Sequence, residues 1–123
     1  MSRRATLVRS FTQADFDAFA TLSGDDNPIH VDPEFSAGTR FGKTVAHGAL
    51  LCSVLRGLVA QLAPGGRQIR QSTMYPAPSP AGTPLRFDAE IIEEQEDRAV
   101  IRLEVRQLAD DTVTCTGETE VTR

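Results

Sequence analysis

Residues 47–62, HGALLCSVLRGLVAQL, form the longest apolar stretch of the chain and carry one charge, at Arg56. Plotted as a helix at about 100° per residue, this stretch separates large and small side chains onto opposite faces. The large face holds Leu50, Leu51, Val54, Leu55, Leu58 and Leu62, and the small face holds Ala49, Cys52, Ser53, Arg56, Ala60 and Ala63. A Pro-Gly-Gly sequence at residues 64–66 ends the helix. We predict a buried helix whose large face packs on a sheet and whose small face lets another backbone or a ligand approach.

The C-terminal half, residues 68–122, alternates apolar and polar side chains with a period of two. The clearest runs begin at Leu85, Ile101 and Val113, and each presents one mostly apolar and one mostly polar face, as is typical of an antiparallel sheet with one solvated side. Earlier strands are predicted at Ala5–Phe11 and Gln68–Met74, hairpin connections at Glu93–Arg98 and Ala109–Asp111, and an irregular or edge segment at Tyr75–Gly82. The predicted fold class is α+β, an antiparallel sheet of about five strands with one buried helix against it.

The length of 123 residues fits one compact domain, residues 1–123, and leaves no room for a second. Thirteen basic and seventeen acidic residues give a net charge of −4, which argues against a nucleic-acid partner. No stretch approaches the roughly 20 apolar residues of a membrane span, and no apolar region of a secretory signal follows the basic N-terminus. Cys52 and Cys115 stand in no metal or redox spacing and are expected to be reduced, buried thiols. We therefore expect a soluble, cytoplasmic protein.

A loop rich in reactive groups follows a second predicted helix, Thr12–Ser23, which ends at Gly24. Between Gly24 and His30 this loop holds two carboxylates, an amide and an imidazole. Pro28 stiffens the loop because its ring fixes one backbone dihedral angle and restricts the residue before it. Asp25 and His30, held five residues apart in a stiff loop, are candidates for an acid–base pair.

Two other interpretations of this loop remain open. Asp, Asn and Pro are ordinary turn-forming residues, so His30 could be a structural histidine. His30, Asp32 and Glu34 could also ligate a metal, although no second histidine is near them in the sequence.

The entry to the apolar helix, Ala46-His47-Gly48, is a second candidate for chemistry. Backbone N–H groups in the first turn of a helix have no partner within the helix, and the helix dipole is positive there. The Gly48 amide could therefore stabilise an oxyanion that develops on a bound carbonyl group. Glycine also lets a substrate approach the backbone closely. His47 is interpreted as structural rather than catalytic.

Residues Phe19–Ser36 resemble the signature of the MaoC-like dehydratases, the (R)-specific enoyl-CoA hydratase group of the hotdog superfamily. The matched pattern is an aromatic residue, a core of small-Gly-Asp-x-Asn-Pro-aliphatic-His and a later small residue, without a gap. The Ala-His-Gly entry to the helix and the Pro-x-x-x-Gly segment from Pro78 to Gly82 also look like that family. The resemblance covers nearly the whole chain.

The resemblance implies a hotdog fold, a homodimer whose two sheets join, and reversible hydration of a trans-2-enoyl thioester to an (R)-3-hydroxyacyl thioester. It implies no metal or redox cofactor, and its substrate would be an acyl-CoA or acyl-carrier-protein thioester. By position, Asp25 and His30 would be the catalytic pair that activates water, and Asn27 would help to hold that water or the pair. The Gly48 amide would polarise the thioester carbonyl.

The chain departs from the family pattern at Arg56, where characterised hydratases of this group can carry a serine that supports the catalytic aspartate. Three explanations are open: Ser53 substitutes for that serine, Arg56 pairs with Asp25 or Asp26, or Arg56 extends outward. The departure keeps two alternative functions open, a hotdog acyl-CoA thioesterase and a non-catalytic acyl-thioester-binding or partner subunit. Candidates for contacts with substrate phosphates are Arg40, Lys43, Arg67 and Arg70.

Overall fold

The structure, a computed structural model, describes residues 3–123 of the chain. The helices are α1 (Gln13–Ser23), α2 (Pro28–Val31), α3 (Pro33–Ala37) and α4 (Gly48–Leu62), and the strands are β1 (Arg4–Arg9), β2 (Gln68–Met74), β3 (Leu85–Glu94), β4 (Arg98–Gln107) and β5 (Val113–Thr122). The strands form one antiparallel sheet in the order β1-β3-β4-β5-β2. This architecture confirms the predicted α+β hotdog fold of five strands and a central helix. No helix among the described residues is long and apolar enough to cross a membrane.

The core lies between α4 and the inner face of the sheet, as the period-two pattern predicts. Phe87 is fully buried at the centre of β3, and the ring of Phe11 meets it edge-on with the ring centroids 6.1 Å apart. Other core side chains from the sheet and α4 include Leu85, Ala89, Ile101, Leu103, Val105, Leu51, Leu55, Leu58 and Val59. Burial of this apolar face is the main force that holds α4 on the sheet.

Helix α4 is buried on one face only. Its large face lies in the core, whereas Ala49, Ser53, Gly57 and Ala60 are exposed on the opposite side. The prediction of a buried helix is therefore right for the large face, whereas on the small face Ala49, Ser53 and Ala60 are exposed within one chain and Ala63 is buried.

Helix α1 begins and ends where its capping residues predict. The Thr12 hydroxyl accepts a hydrogen bond from the Asp15 amide, and the Asp15 carboxylate accepts one from the Thr12 amide, which completes a capping box. Gly24 ends the helix with φ of 83°, in the left-handed region that glycine adopts without strain. This sharp end places Asp25 immediately beyond the helix.

The loop after α1 contains two short helices that the sequence analysis did not predict. Asn27 accepts a hydrogen bond from the Ile29 amide at the start of α2, and Asp32 accepts one from the Phe35 amide at the start of α3. Each capping residue precedes a proline, whose fixed φ suits the first position of a helix. The Asn-Pro and Asp-Pro pairs therefore start short helices within the segment that was predicted to be a loop.

Candidate active site

Asp25 and His30 face each other where α1 ends and α2 begins. The distance from Nε2 of His30 to Oδ2 of Asp25 is 3.8 Å. This is longer than a hydrogen bond, so both atoms are available to a third molecule such as water. The His30 side chain is 14% exposed and the Asp25 side chain 55% exposed, so within one chain the carboxylate faces solvent.

The hydrogen bonds of His30 define which of its ring nitrogens can accept a proton. Nδ1 lies 2.8 Å from the carbonyl oxygen of Val45, and a carbonyl oxygen can only accept. In the neutral ring Nδ1 therefore carries the hydrogen, and Nε2 presents its lone pair towards Asp25. This arrangement suits His30 for accepting a proton at Nε2.

Gln13, which the sequence analysis did not single out, connects His30 to the segment that leads into α4. Its Nε2 donates to the carbonyl oxygen of His30 at 2.9 Å, and its Oε1 accepts from the Thr44 hydroxyl at 2.6 Å. The Val45 amide donates to the Ile29 carbonyl at 3.1 Å in the same region. No motif marks a single glutamine in the first turn of a helix, so only the folded arrangement identifies this contact.

Asn27 shapes the loop between the two candidate catalytic residues. Its Oδ1 accepts from the Ile29 amide at 3.2 Å, its carbonyl oxygen accepts from the His30 amide at 2.9 Å, and its amide donates to Asp25 Oδ1 at 3.4 Å. Within residues 3–123 the side-chain Nδ2 makes no hydrogen bond. Asn27 thus holds the turn through its backbone and Oδ1, while its NH₂ group can still donate to a bound water.

His47 supports the pair from the buried side of the site. It is 2% exposed, and its ring lies against the His30 ring with centroids 3.9 Å apart and planes 21° apart. Its Nε2 lies 2.9 Å from the carbonyl oxygen of Asp25, so Nε2 carries the hydrogen and donates it. The Phe19 ring packs near it at a centroid distance of 4.9 Å. These contacts fit the structural interpretation of His47, because it touches both Asp25 and His30 and comes directly before Gly48.

Asp25, His30 and His47 each place one potential metal-ligand atom within 4.8 Å of the others. The Nε2 of His47 is already hydrogen-bonded to a carbonyl oxygen, and lone pairs in two nearly parallel rings do not converge on one ion. Within the described residues, His30, Asp32 and Glu34 form no such group. Asp32 instead caps α3. The geometry favours a hydrogen-bonded acid–base pair.

A cleft of about 550 Å³ lies beside the N-terminus of α4. Gly48 and Leu51 line it from the helix, and Ile29 lines it next to His30. No hydrogen bond within residues 3–123 uses the Gly48 amide, which belongs to the first turn of α4. A free amide of this kind, at the wall of a cleft, can donate to a bound carbonyl oxygen. Asp25 and His30 do not themselves line the cleft within one chain.

Tyr75 forms the cleft wall opposite Gly48, a role that the sequence did not indicate. A Cβ atom added to Gly48 would lie 2.6 Å from the ring carbon Cζ of Tyr75, so any side chain at residue 48 would force the Tyr75 ring to move. Tyr75 follows β2 in a segment that joins the rest of the molecule through an isolated bridge between Val45 and Pro80 and through backbone hydrogen bonds such as that from the Gly82 amide to the Phe11 carbonyl oxygen. The prediction that Tyr75–Gly82 is irregular agrees with this arrangement.

Comparison with known protein families shows which family the chain belongs to. The sequence model of the MaoC like domain family matches residues 1–113. The chain belongs to the MaoC-like domain family. The match confirms the resemblance predicted from the Gly-Asp-x-Asn-Pro-x-His core.

Two curated relatives of the MaoC-like chain have named activities. The (R)-specific enoyl-CoA hydratase of Aeromonas caviae is 36% identical over 108 residues, which cover 86% of this chain and 81% of the relative. The 3-hydroxybutyryl-CoA dehydratase of Methylorubrum extorquens is 30% identical over 114 residues, which cover 91% of this chain and 73% of the relative. Among solved structures, the (R)-hydratase from A. caviae involved in PHA biosynthesis superposes with a TM-score of 0.89 at 34% identity, covering 96% of this chain and 92% of that one.

In the MaoC-like chain, Arg56 does not contact the candidate pair. Its Nη2 donates to the carbonyl oxygen of Gly66 at 3.2 Å, and no hydrogen bond or ion pair within residues 3–123 joins it to Asp25 or Asp26. Of the three explanations left open for Arg56, pairing with either aspartate is therefore not found within one chain. Ser53 donates to the Leu50 carbonyl oxygen at 2.7 Å and does not support Asp25 either.

Only one of the four phosphate candidates lines the cleft of the MaoC-like chain. Arg40 is at its wall, and its guanidinium group lies 4.9 Å from the centroid of the Phe41 ring. Arg70 forms ion pairs with two carboxylates of β5, at 3.4 Å and 3.5 Å. Lys43 and Arg67 are exposed and do not line the cleft. Arg40 is the candidate best placed to meet an anionic group at the cleft.

Proposed function

We propose that this chain catalyses reversible hydration of trans-2-enoyl-CoA to (R)-3-hydroxyacyl-CoA. The observation that carries the proposal is the facing pair of Asp25 Oδ2 and His30 Nε2, with the hydrogen of His30 held on Nδ1 by the Val45 carbonyl. Similarity to the (R)-specific enoyl-CoA hydratase of A. caviae supports the same assignment.

His30, Asp25 and the Gly48 amide each have one role in the proposed reaction. A water held between the pair gives a proton to the lone pair of His30 Nε2, while the Asp25 carboxylate accepts the hydrogen bond of its second hydrogen. The new C–O bond forms at C3 of the enoyl group, and the double-bond electrons move onto the thioester oxygen. The Gly48 amide stabilises that developing negative charge. The imidazolium then returns a proton to C2, so the two groups act as one coupled system.

The proposed substrate is a thioester of coenzyme A or of acyl-carrier protein, with the acyl end in the cleft beside Gly48. Arg40, at the wall of that cleft, is the proposed contact for an anionic part of the carrier. We further propose that residues 1–123 act as a single MaoC-like hotdog domain and that the enzyme is cytoplasmic and needs no metal or redox cofactor.

An assay with a short trans-2-enoyl-CoA tests the function directly. We expect loss of the conjugated-thioester absorbance without release of free thiol, since water adds to C3 and the thioester bond stays intact. Release of free thiol together with that loss of absorbance would instead select the acyl-CoA thioesterase, because hydrolysis breaks the conjugated thioester itself. Binding of the thioester without turnover would select the non-catalytic subunit.

We also propose that the chain forms a homodimer through β2. This strand is an edge of the sheet, and unpaired edges tend to be covered in native proteins. Ile69 and Met74 leave apolar surface exposed on β2, with Met74 66% exposed. The Asp25 carboxylate is open to solvent within one chain, whereas electrostatic catalysis is stronger when water is excluded. A second chain beside β2 and the exposed small face of α4 would extend the sheet.

Met74→Glu is expected to shift the protein from dimer to monomer, because the dimer would bury an unpaired charge at the joined edge. Sedimentation velocity across a range of protein concentrations measures the change. Val8→Glu is the matched control, because Val8 is an exposed apolar residue on the opposite edge strand, β1, and should leave the dimer intact. A wild-type monomer, or equal dissociation by both substitutions, would contradict an interface at β2.

A further inference from the structure

Three groups that the proposed reaction uses meet at one buried histidine, His47. Its Nε2 donates to the main-chain carbonyl oxygen of Asp25 at 2.9 Å, and its ring lies against the His30 ring with centroids 3.9 Å apart. Its own carbonyl oxygen accepts a hydrogen bond from the Leu50 amide at 3.0 Å, which begins α4. Gly48 is the next residue, so His47 touches both members of the pair and precedes the amide proposed to bind the carbonyl.

The His47 ring is held in place by other rings. It is 2% exposed, the Phe19 ring packs on it with centroids 4.9 Å apart, and the Phe16 ring meets it edge-on at 6.5 Å. Close-packed aromatic side chains of this kind keep one rotamer, because the interior leaves no space for another. The ring is therefore a fixed support against which the Asp25 main chain and the His30 ring are placed.

The two stacked histidine rings carry their hydrogens on opposite nitrogens. In His30, Nδ1 faces the Val45 carbonyl oxygen at 2.8 Å, whereas in His47 it is Nε2 that faces a carbonyl oxygen, that of Asp25. Nδ1 of His47 is buried and has no hydrogen-bond partner within residues 3–123, so a hydrogen there would be an unsatisfied buried donor. This second observation places the hydrogen of neutral His47 on Nε2 independently of the first.

We propose that His47 is a positioning residue that sets the separation of Asp25 from His30, a role that rests on the proposed hydration. The Asp25 side chain is 55% exposed, so the hydrogen bond to its carbonyl oxygen restrains the residue from the buried side of the site. The stacked ring of His47 limits how the His30 ring can turn. Both restraints act on the 3.8 Å between Asp25 Oδ2 and His30 Nε2, the space that the reacting water would occupy.

A wrong separation should slow the chemical step more than it weakens substrate binding. His47 is not among the described residues that line the cleft beside Gly48, so the thioester would keep its contacts there. Misplacement of reacting groups by about 1 Å can lower a rate by about 10²-fold. The expected signature of a His47 substitution is therefore a lower kcat with a nearly unchanged KM.

Two substitutions separate the hydrogen bond from the ring. His47→Phe keeps a ring against His30 but removes the donor to Asp25, and should lower kcat for trans-2-butenoyl-CoA by about 10²-fold with little change in KM. His47→Gln places an amide N–H near the position of Nε2 and should restore most of the wild-type kcat. Wild-type kcat in His47→Phe, or equal losses in both variants, would overturn the proposal.

Leu58→Ala is the control for a purely structural effect, because Leu58 is a buried core residue of α4. It should lower the thermal unfolding temperature while the folded protein keeps its kcat. A loss of kcat in Leu58→Ala as large as that in His47→Phe would show that any destabilised core slows the reaction, and would contradict a specific role of His47.

Long-range proton–nitrogen NMR correlation spectra test the hydrogen bond in the wild-type protein. The chain has two histidines, so His47→Gln leaves one and assigns both. We expect the neutral His47 ring to carry its hydrogen on Nε2 and the neutral His30 ring on Nδ1. A hydrogen on Nδ1 of His47 would overturn the proposal even if His47→Phe does not fold. Because these spectra need no turnover, a protein with both expected tautomers that hydrates no enoyl thioester would contradict the proposed function and not the contact.

Discussion

Replacing His30 by alanine or Asp25 by asparagine is expected to lower the turnover of a trans-2-enoyl-CoA by about 10³-fold or more, since the first change removes the proton acceptor and the second removes the carboxylate that holds the water. His30→Ala removes the lone pair of Nε2. Asp25→Asn replaces the charged Oδ2, which lies 3.8 Å from His30 Nε2, with an NH₂ group or a neutral carbonyl oxygen. Initial rates of enoyl absorbance loss, at saturating and limiting substrate, measure the effect on kcat and on kcat/KM.

Asp26→Asn is the matched control for the aspartate, because Asp26 is the exposed neighbouring carboxylate and does not face His30. It should keep near wild-type turnover, and all three variants should keep the wild-type thermal unfolding curve. Turnover that survives in His30→Ala and Asp25→Asn would contradict the assigned roles. An equal loss in Asp25→Asn and Asp26→Asn would show a general charge effect rather than a catalytic carboxylate.

Gly117→Ala is expected to destabilise the fold by about 3 kcal/mol, because β5 and β2 approach too closely at this position for a side chain. A Cβ atom on Gly117 would overlap the Ser72 carbonyl oxygen and lie 2.9 Å from the Thr73 Cα atom, both of which are backbone atoms. The strands would have to separate, and β2 is held to the sheet by β5 alone. Urea unfolding followed by circular dichroism measures the change.

Gly38→Ala provides the comparison for that prediction. A Cβ atom on Gly38 would lie 3.6 Å from the Phe35 carbonyl oxygen, an ordinary van der Waals contact, so the free energy of unfolding should change little. If Gly117→Ala were as stable as Gly38→Ala, the close pairing of β2 with β5 would be wrong.

Local sequence signals predicted much of the fold. The Thr12 cap, the left-handed Gly24 and the period-two runs of β3 and β4 each depend on residues near one another in the chain, so their structural meaning can be read locally. The start of α4 at Gly48 follows from its apolar periodicity in the same way. The short helices α2 and α3 were missed because an Asn-Pro or Asp-Pro pair starts a turn or a helix with similar local chemistry.

The candidate site was predictable in its members but not in its contacts. The core motif marked Asp25, Asn27 and His30, whereas the stacking of His47 on His30 depends on how α4 docks against α1 and α2. The position of Tyr75 over Gly48 likewise depends on the chain path after β2, which no local pattern fixes. Contacts between distant segments are set by packing of the whole domain, so they become visible only in the folded chain.

The central claim is that water adds to C3 of an enoyl thioester on the face that gives the (R) alcohol. Reaction of trans-2-butenoyl-CoA with the purified protein in water enriched in heavy oxygen tests it most directly, with mass spectrometry and chiral chromatography of the product. We expect one heavy oxygen in the C3 hydroxyl group of (R)-3-hydroxybutyryl-CoA, with the thioester bond intact. Heavy oxygen in the carboxylate of a released acid, or a product of (S) configuration, would contradict it.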